Sequence, residues 1–138
     1  MAVGDRVFVT PGIYSAVHEL DAATGREVRK YTGTEKAFEI IFCEKTLILA
    51  VNKNLDTPEA TPDVSVMAVN SDSGEILWES TGYQGIAPKR DSVQRYVDSI
   101  LAVGGGQVFL VDREHIIGLD LKSGAEKWRV PRPAKEST

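Results

Sequence analysis

One cysteine and two histidines are all that this 138-residue chain offers for thiol or soft-metal chemistry. Cys43 alone can form neither an internal disulfide nor a zinc site built from several thiolates. It closes the apolar run Ile40-Ile-Phe-Cys43, where a small buried residue is the expected role. His18 and His115 stand in different sequence contexts and give no metal-ligand spacing. No apolar run reaches the ~18 residues that a membrane-spanning helix needs. The first residues show no charged segment followed by an apolar core, so no secretory signal is read there and the compartment stays open.

Positive charge is also in short supply. Sixteen Lys and Arg against 20 Asp and Glu leave a net charge of −4, which argues against a nucleic-acid surface. The one local basic excess, Lys89, Arg90 and Arg95, reads as a solvated loop face. Gly104-Gly-Gly106 is not followed by Gly-Lys-Ser/Thr, and it lies between two apolar runs, so it reads as a strand-joining turn rather than a phosphate cradle. Asp56, Asp63, Asp72 and Asp112 are likewise scattered turn residues without the regular loop that calcium requires. No catalytic residue, cofactor, metal or small-molecule substrate is assigned.

What the chain does contain is a repeat. Leu20-Asp-Ala-Ala-Thr-Gly-Arg-Glu-Val-Arg29, Val69-Asn-Ser-Asp-Ser-Gly-Glu-Ile-Leu-Trp78 and Leu119-Asp-Leu-Lys-Ser-Gly-Ala-Glu-Lys-Trp128 place glycines at 25, 74 and 124. A period of 49 and then 50 residues marks stacked units, each unable to bury its apolar face alone. Each copy predicts a tight hairpin. Asp21, Asn70 and Asp120 accept hydrogen bonds from backbone N–H groups in the turn. Thr24, Ser73 and Ser123 add a hydroxyl that does the same locally. Gly25, Gly74 and Gly124 then take the positive-φ position after a type I turn. Four residues beyond each glycine come Arg29, Trp78 and Trp128. A tryptophan there suits burial on the neighbouring unit with its N–H on a carbonyl. Burial between units would make the alanine variants of Trp78 and Trp128 cost ~3–5 kcal/mol each.

The second and third copies, Ala68-x-Asn70-x-x-Ser73-Gly74-x-x-x-Trp78 and Gly118-x-Asp120-x-x-Ser123-Gly124-x-x-x-Trp128, resemble the tryptophan-docking motif of pyrroloquinoline-quinone-like (PQQ-like) β-propellers. The first copy departs from it. Glu19 fills the small-residue position and Arg29 the tryptophan position, so docking of the first unit in the usual way is open. The resemblance implies an all-β fold of four-stranded antiparallel blades, in a family often found outside the cytoplasm.

Runs rich in β-branched and aromatic residues fit that fold. They occur at Arg6–Thr10, Ala16–Leu20, Glu27–Tyr31, Phe38–Cys43, Thr46–Val51, Val64–Val69, Ile76–Ser80, Ser99–Val103, Gln107–Val111, His115–Leu119 and Glu126–Val130. Residues 91–100 alone leave room for a short helix. Three units follow, about 1–34, 35–82 and 98–130, with 83–97 as an insertion and 131–138 as a disordered tail or linker. The first unit shows only three runs, so its innermost strand is expected to be missing. Since propeller rings close with ~4–8 blades, an open arc is expected. Its unpaired ends would recruit a protein partner or a second copy.

Three functions fit such an arc. One is a non-catalytic interaction scaffold. Another is an accessory region of a larger enzyme, since similar arrays occur beside domains such as methyltransferases. The third is part of a quinoprotein dehydrogenase, although the cysteine pair and calcium ligands of such enzymes do not map here. Contact with a partner is expected at the long interruptions. Lys53–Asp63, with Pro58 and Pro62, reads as mobile, and Tyr83, Arg90 and Tyr96 are the candidate contact residues of the second.

Overall fold

The computed structural model describes residues 1–12, 14–57, 59–84 and 100–133. The described residues form strands and turns, with no helix long and apolar enough to cross a membrane. Twelve strands make three four-stranded antiparallel sheets, each a simple meander. The first holds β1 (Ala2–Val3), β2 (Arg6–Val9), β3 (Val17–Asp21) and β4 (Glu27–Tyr31). The second holds β5 (Ala37–Cys43), β6 (Thr46–Asn52), β7 (Asp63–Asn70) and β8 (Ile76–Gln84). The third holds β9 (Leu101–Gly104), β10 (Gln107–Val111), β11 (His115–Asp120) and β12 (Glu126–Pro131).

The first sheet corrects the expected three-stranded unit. Its innermost strand is present as the two residues of β1, paired Ala2 to Val7 and Val3 to Arg6. A segment this short carries no alternation that a sequence pattern can register. β8 runs to Gln84, two residues into the stretch assigned to the insertion, and so takes in Tyr83. Arg90, Tyr96 and all but the last residue of the short helix considered over 91–100 lie outside the described residues, as do 134–138 of the tail.

The second sheet is the middle of the stack, and its sequence shows why. Strands covered on both faces lose alternation and become continuously apolar. Thr46-Leu-Ile-Leu-Ala-Val and Val64-Ser-Val-Met-Ala-Val are almost wholly buried. One face, with Leu47, Leu49, Met67 and Val69, packs on Phe8, Val17 and Tyr31 of the first sheet. The other, with Ile48, Ala50, Val64, Val66 and Ala68, packs on Val108, Leu110, Ile117 and Leu119 of the third. Each such side chain stabilises the stack by ~1.5–3 kcal/mol relative to exposure.

The three repeat turns share one geometry. Gly25, Gly74 and Gly124 have φ of 73°, 79° and 74°. Their N–H groups donate to the carbonyls of Asp21, Asn70 and Asp120, each at 2.8 Å. Asp21 Oδ1 accepts from the Ala23 N–H, Asn70 Oδ1 from Asp72 and Ser73, and Asp120 Oδ2 from Ser123. The hydroxyls of Thr24, Ser73 and Ser123 each accept from the N–H two residues on, at 3.2 Å. Beyond each turn the pairing shifts at the same place, between Glu19 and Leu20, Ala68 and Val69, and Gly118 and Leu119.

Hydrogen bonds cross the loop from Lys53 to Asp63, in which Pro58 lies outside the described residues. The Lys53 N–H donates to the Asp63 carbonyl, and Asn54 Nδ2 to the Thr61 carbonyl, both at 2.9 Å. Leu55 is buried beneath it, so apolar burial adds to these bonds.

Candidate functional site

Inter-sheet docking is where the repeat residues act, and the strand register sets equivalent rows side by side. In the second sheet Ile48 pairs with Ala68 and Ala68 with Trp78. The third sheet repeats the row as Phe109, Gly118 and Trp128, and the first as Phe8, Glu19 and Arg29.

The second row docks on the third sheet. Trp78 is 9% exposed and lies against Gly124, where an added Cβ would overlap the indole ring. Its Nε1–H donates to the Leu121 carbonyl at 2.9 Å. Glycine at 124 thus answers two demands, a positive φ and a flat surface for the ring. The Ile100 N–H also reaches Glu39 Oε1 at 2.9 Å, tying the third sheet to β5.

The first row docks differently. Ser71 holds the position that Leu121 holds in the next turn, and its carbonyl receives Arg29 Nη1 at 2.5 Å, the Tyr31 hydroxyl at 2.6 Å and Arg6 Nη2 at 3.1 Å. Glu19 takes two hydrogen bonds from Arg6, at 2.9 and 3.0 Å, and lies 3.1 Å from the Tyr31 hydroxyl. The Arg6 guanidinium also stands over Phe8 and, across the interface, Phe42 of β5. Two long charged side chains in the small-residue and tryptophan positions therefore complement one another. The hydrogen bonds and charge of Arg6 hold the Glu19 carboxyl below its ordinary range despite burial. Burial, with the Glu19 charge beside it, pushes the Tyr31 phenol up.

The third row faces outward. Trp128 is 37% exposed, tilted over Phe109 with ring centroids 5.9 Å apart, and it donates to Gln107 Oε1 at 3.0 Å. The expected burial of Trp128 between units is therefore not met, because no described sheet covers this face. In dilute solution Trp128→Ala is expected to cost about 1 kcal/mol or less, the scale of a surface change, which a urea midpoint would check.

Other candidates fall elsewhere. Tyr83 is buried, with its hydroxyl 2.6 Å from Ser80 Oγ, so it presents no contact face to a partner. His18 is half-buried and pairs with Glu27 at 2.6 Å. The Glu114 and His115 N–H groups donate to Asp112 Oδ1 in the turn before β11. Cys43 is half-buried at the end of β5.

Solved structures similar to the stack share its fold at low identity. The quinohemoprotein alcohol dehydrogenase ADHIIG of Pseudomonas putida HK5 aligns over 95% of this chain with a TM-score of 0.61 and 18% identity. That of Comamonas testosteroni gives 0.60 and 16% over 96% of the chain. BamB of Moraxella catarrhalis gives 0.52 and 13% over 83%. The chain spans only 20%, 21% and 31% of those three proteins, respectively. No curated protein matches it. The family model described as outer membrane protein assembly factor BamB matches residues 1–138, and with that match, over a stack of four-stranded propeller-type sheets, the chain belongs to the BamB-type PQQ-like β-propeller family.

Proposed function

We propose that this chain is a non-catalytic PQQ-like scaffold that binds other protein surfaces through its sheet faces. The observation that carries the reading is the outward row Phe109, Gly118 and Trp128, in register with the buried row that ends in Trp78. A tryptophan that is inter-sheet glue in one unit is presented to solvent in the next. The family match supports the same reading, since its description is that of an assembly factor.

A second reading is supported by the quinohemoprotein alcohol dehydrogenase structures. In it the chain would be one arc of a quinoprotein dehydrogenase. The two readings separate in one titration. Adding pyrroloquinoline quinone and calcium, followed by absorbance and calorimetry, is expected to give no stoichiometric binding. Binding at micromolar affinity or tighter would overturn the scaffold reading and favour the second.

A further inference from the structure

Stacked sheets that share one turn geometry can pair in the wrong order, because a row shaped to cover one turn can also cover the next. Misassembly and exchange of units between copies are the characteristic failures of repeat proteins. We propose that Arg6, Glu19 and Arg29 guard against this: the three side chains recognise the receiving face of the second sheet and reject the equivalent face of the third. Sheet order is then set by charge and size rather than by the shared turn. Recognition of this kind goes beyond the proposed function and holds for either reading of it.

Strand register lines up the two receiving faces position by position. Phe42, Leu47 and Val69 of the second sheet correspond to Val103, Val108 and Leu119 of the third. The turns beyond them read Asn70-Ser-Asp-Ser-Gly74 and Asp120-Leu-Lys-Ser-Gly124. Within this common frame, every group that receives the first row is different in the third sheet. The Arg6 guanidinium carbon lies 5.6 Å from the centre of the Phe42 ring, and Val103 offers no π face in its place. The short side chain of Ser71 leaves its carbonyl open to Arg29, Tyr31 and Arg6, whereas Leu121 packs on the apolar cluster that holds Trp78. Arg6 Nη1 lies 3.3 Å from Asp72 Oδ1, and the third turn has Lys122 at that position.

On the third turn the same row would set Arg6 and Arg29 beside Lys122 and cover their charges with the Leu121 side chain. Like-charge contact and burial of polar groups without partners both oppose docking, and repulsive elements of this sort discriminate between partners as attractive ones do. The third turn makes its own demand, because a Cβ on Gly124 would overlap the Trp78 ring, while one on Gly74 would stand 3.8 Å from Tyr31, an ordinary contact. Ser71 Oγ is buried with no hydrogen-bond partner among the described residues. Position 71 therefore contributes small size and a carbonyl, not a hydroxyl.

An exchange of residues on the full chain, read by urea denaturation and amide hydrogen exchange, tests this. Ser71→Leu with Asp72→Lys gives the second turn the residues of the third. Arg6→Thr with Glu19→Ala and Arg29→Trp gives the first row the residues that the second sheet has at Thr46, Ala68 and Trp78. Each exchange alone is expected to lower the urea midpoint and to speed amide exchange in β2 and β3 while β10 and β11 stay protected. With both together the midpoint is expected to lie above the value that adding the two losses gives, with protection of β2 and β3 returning. Ser71→Ala is expected to leave the midpoint unchanged. Leu121→Ser with Lys122→Asp is expected to combine additively with the first-row exchange. Additive losses in the first pair, or coupling of equal size to the third turn, would overturn the proposal. If the combined chain does not fold, Asp72→Lys decides: it is expected to weaken β2 and β3 protection more than Asp72→Asn, with the excess shrinking in added salt. Equal losses in those two variants would overturn the charge recognition.

Discussion

Trp78→Ala is expected to lower the unfolding free energy by about 3–5 kcal/mol, the range of large aromatic truncations in a packed core. The ring belongs to the buried cluster that joins the second sheet to the third, together with Ile48, Ala68, Val108 and Leu119. Its removal leaves a gap that Gly124, lacking a side chain, cannot fill. The Leu121 carbonyl loses its 2.9 Å donor as well. Trp78→Phe separates the two contributions, because it keeps most of the apolar area and drops only the N–H. That variant should cost nearer ~1–2 kcal/mol, the size of one hydrogen bond plus imperfect packing. Urea denaturation with an unchanged slope would attribute the loss to the native state. A loss below about 1 kcal/mol for the alanine variant would show that the sheets are held together elsewhere.

The paired contrast with Trp128 explains how much of the architecture can be read from residues alone. Eleven of the twelve strands correspond to β-branched or aromatic runs, because sheet burial imposes a pattern on each strand directly. The twelfth, β1, is too short to impose one. The turn geometry is equally local, since an Asx residue, a hydroxyl and a glycine specify it within five positions. Burial of the tryptophans is not local. Trp78 and Trp128 occupy the same place in the repeat, and among the described residues only Trp78 has a further sheet packed over it. The β-branched and aromatic run ends at Ser80, which leaves Tyr83 in the expected insertion. Instead β8 continues through Gly82 at a φ of 89°, with an irregular register opposite Ser65, and carries Tyr83 inward. The first docking site was half visible. Glu19 and Arg29 each departed from the motif, and each departure on its own looked like a loss. Their complementarity emerges only when Arg6 of β2 and Tyr31, two residues beyond Arg29 on β4, arrive at the same carbonyl.

That polar junction carries a prediction with a definite pH signature. Glu19→Ala restores the residue found at the matching position of the second sheet, Ala68, yet it is expected to destabilise by about 2–4 kcal/mol. Breaking a buried pair by removing one partner leaves the other charge uncompensated, and the partial exposure of Arg6 trims the upper end of that range. The same pair makes stability depend on acid. The carboxyl of Glu19 is held below its ordinary value of 4.5 in the folded chain, chiefly by its hydrogen bonds from Arg6. The unfolded chain therefore binds this proton more readily than the folded one. The stabilisation is complete above about pH 5 and is lost as pH falls through 4.5 towards the lower folded value. Denaturant midpoints taken from pH 7 to pH 3 should drop more steeply for the native chain than for Glu19→Ala. Tyr31→Phe offers the control, because it removes the hydroxyl from the Ser71 carbonyl and from Glu19 and leaves the Arg6–Glu19 pair, the chief cause of the lowered carboxyl, in place. It should cost stability at every pH while keeping the acid limb. If the native chain and Glu19→Ala instead descend in parallel below pH 5, the carboxyl is not what couples the first sheet to the second. The junction would then rest on the stacking of Arg6 with Phe8 and Phe42 and on the contacts of Arg29 and Tyr31 with Ser71.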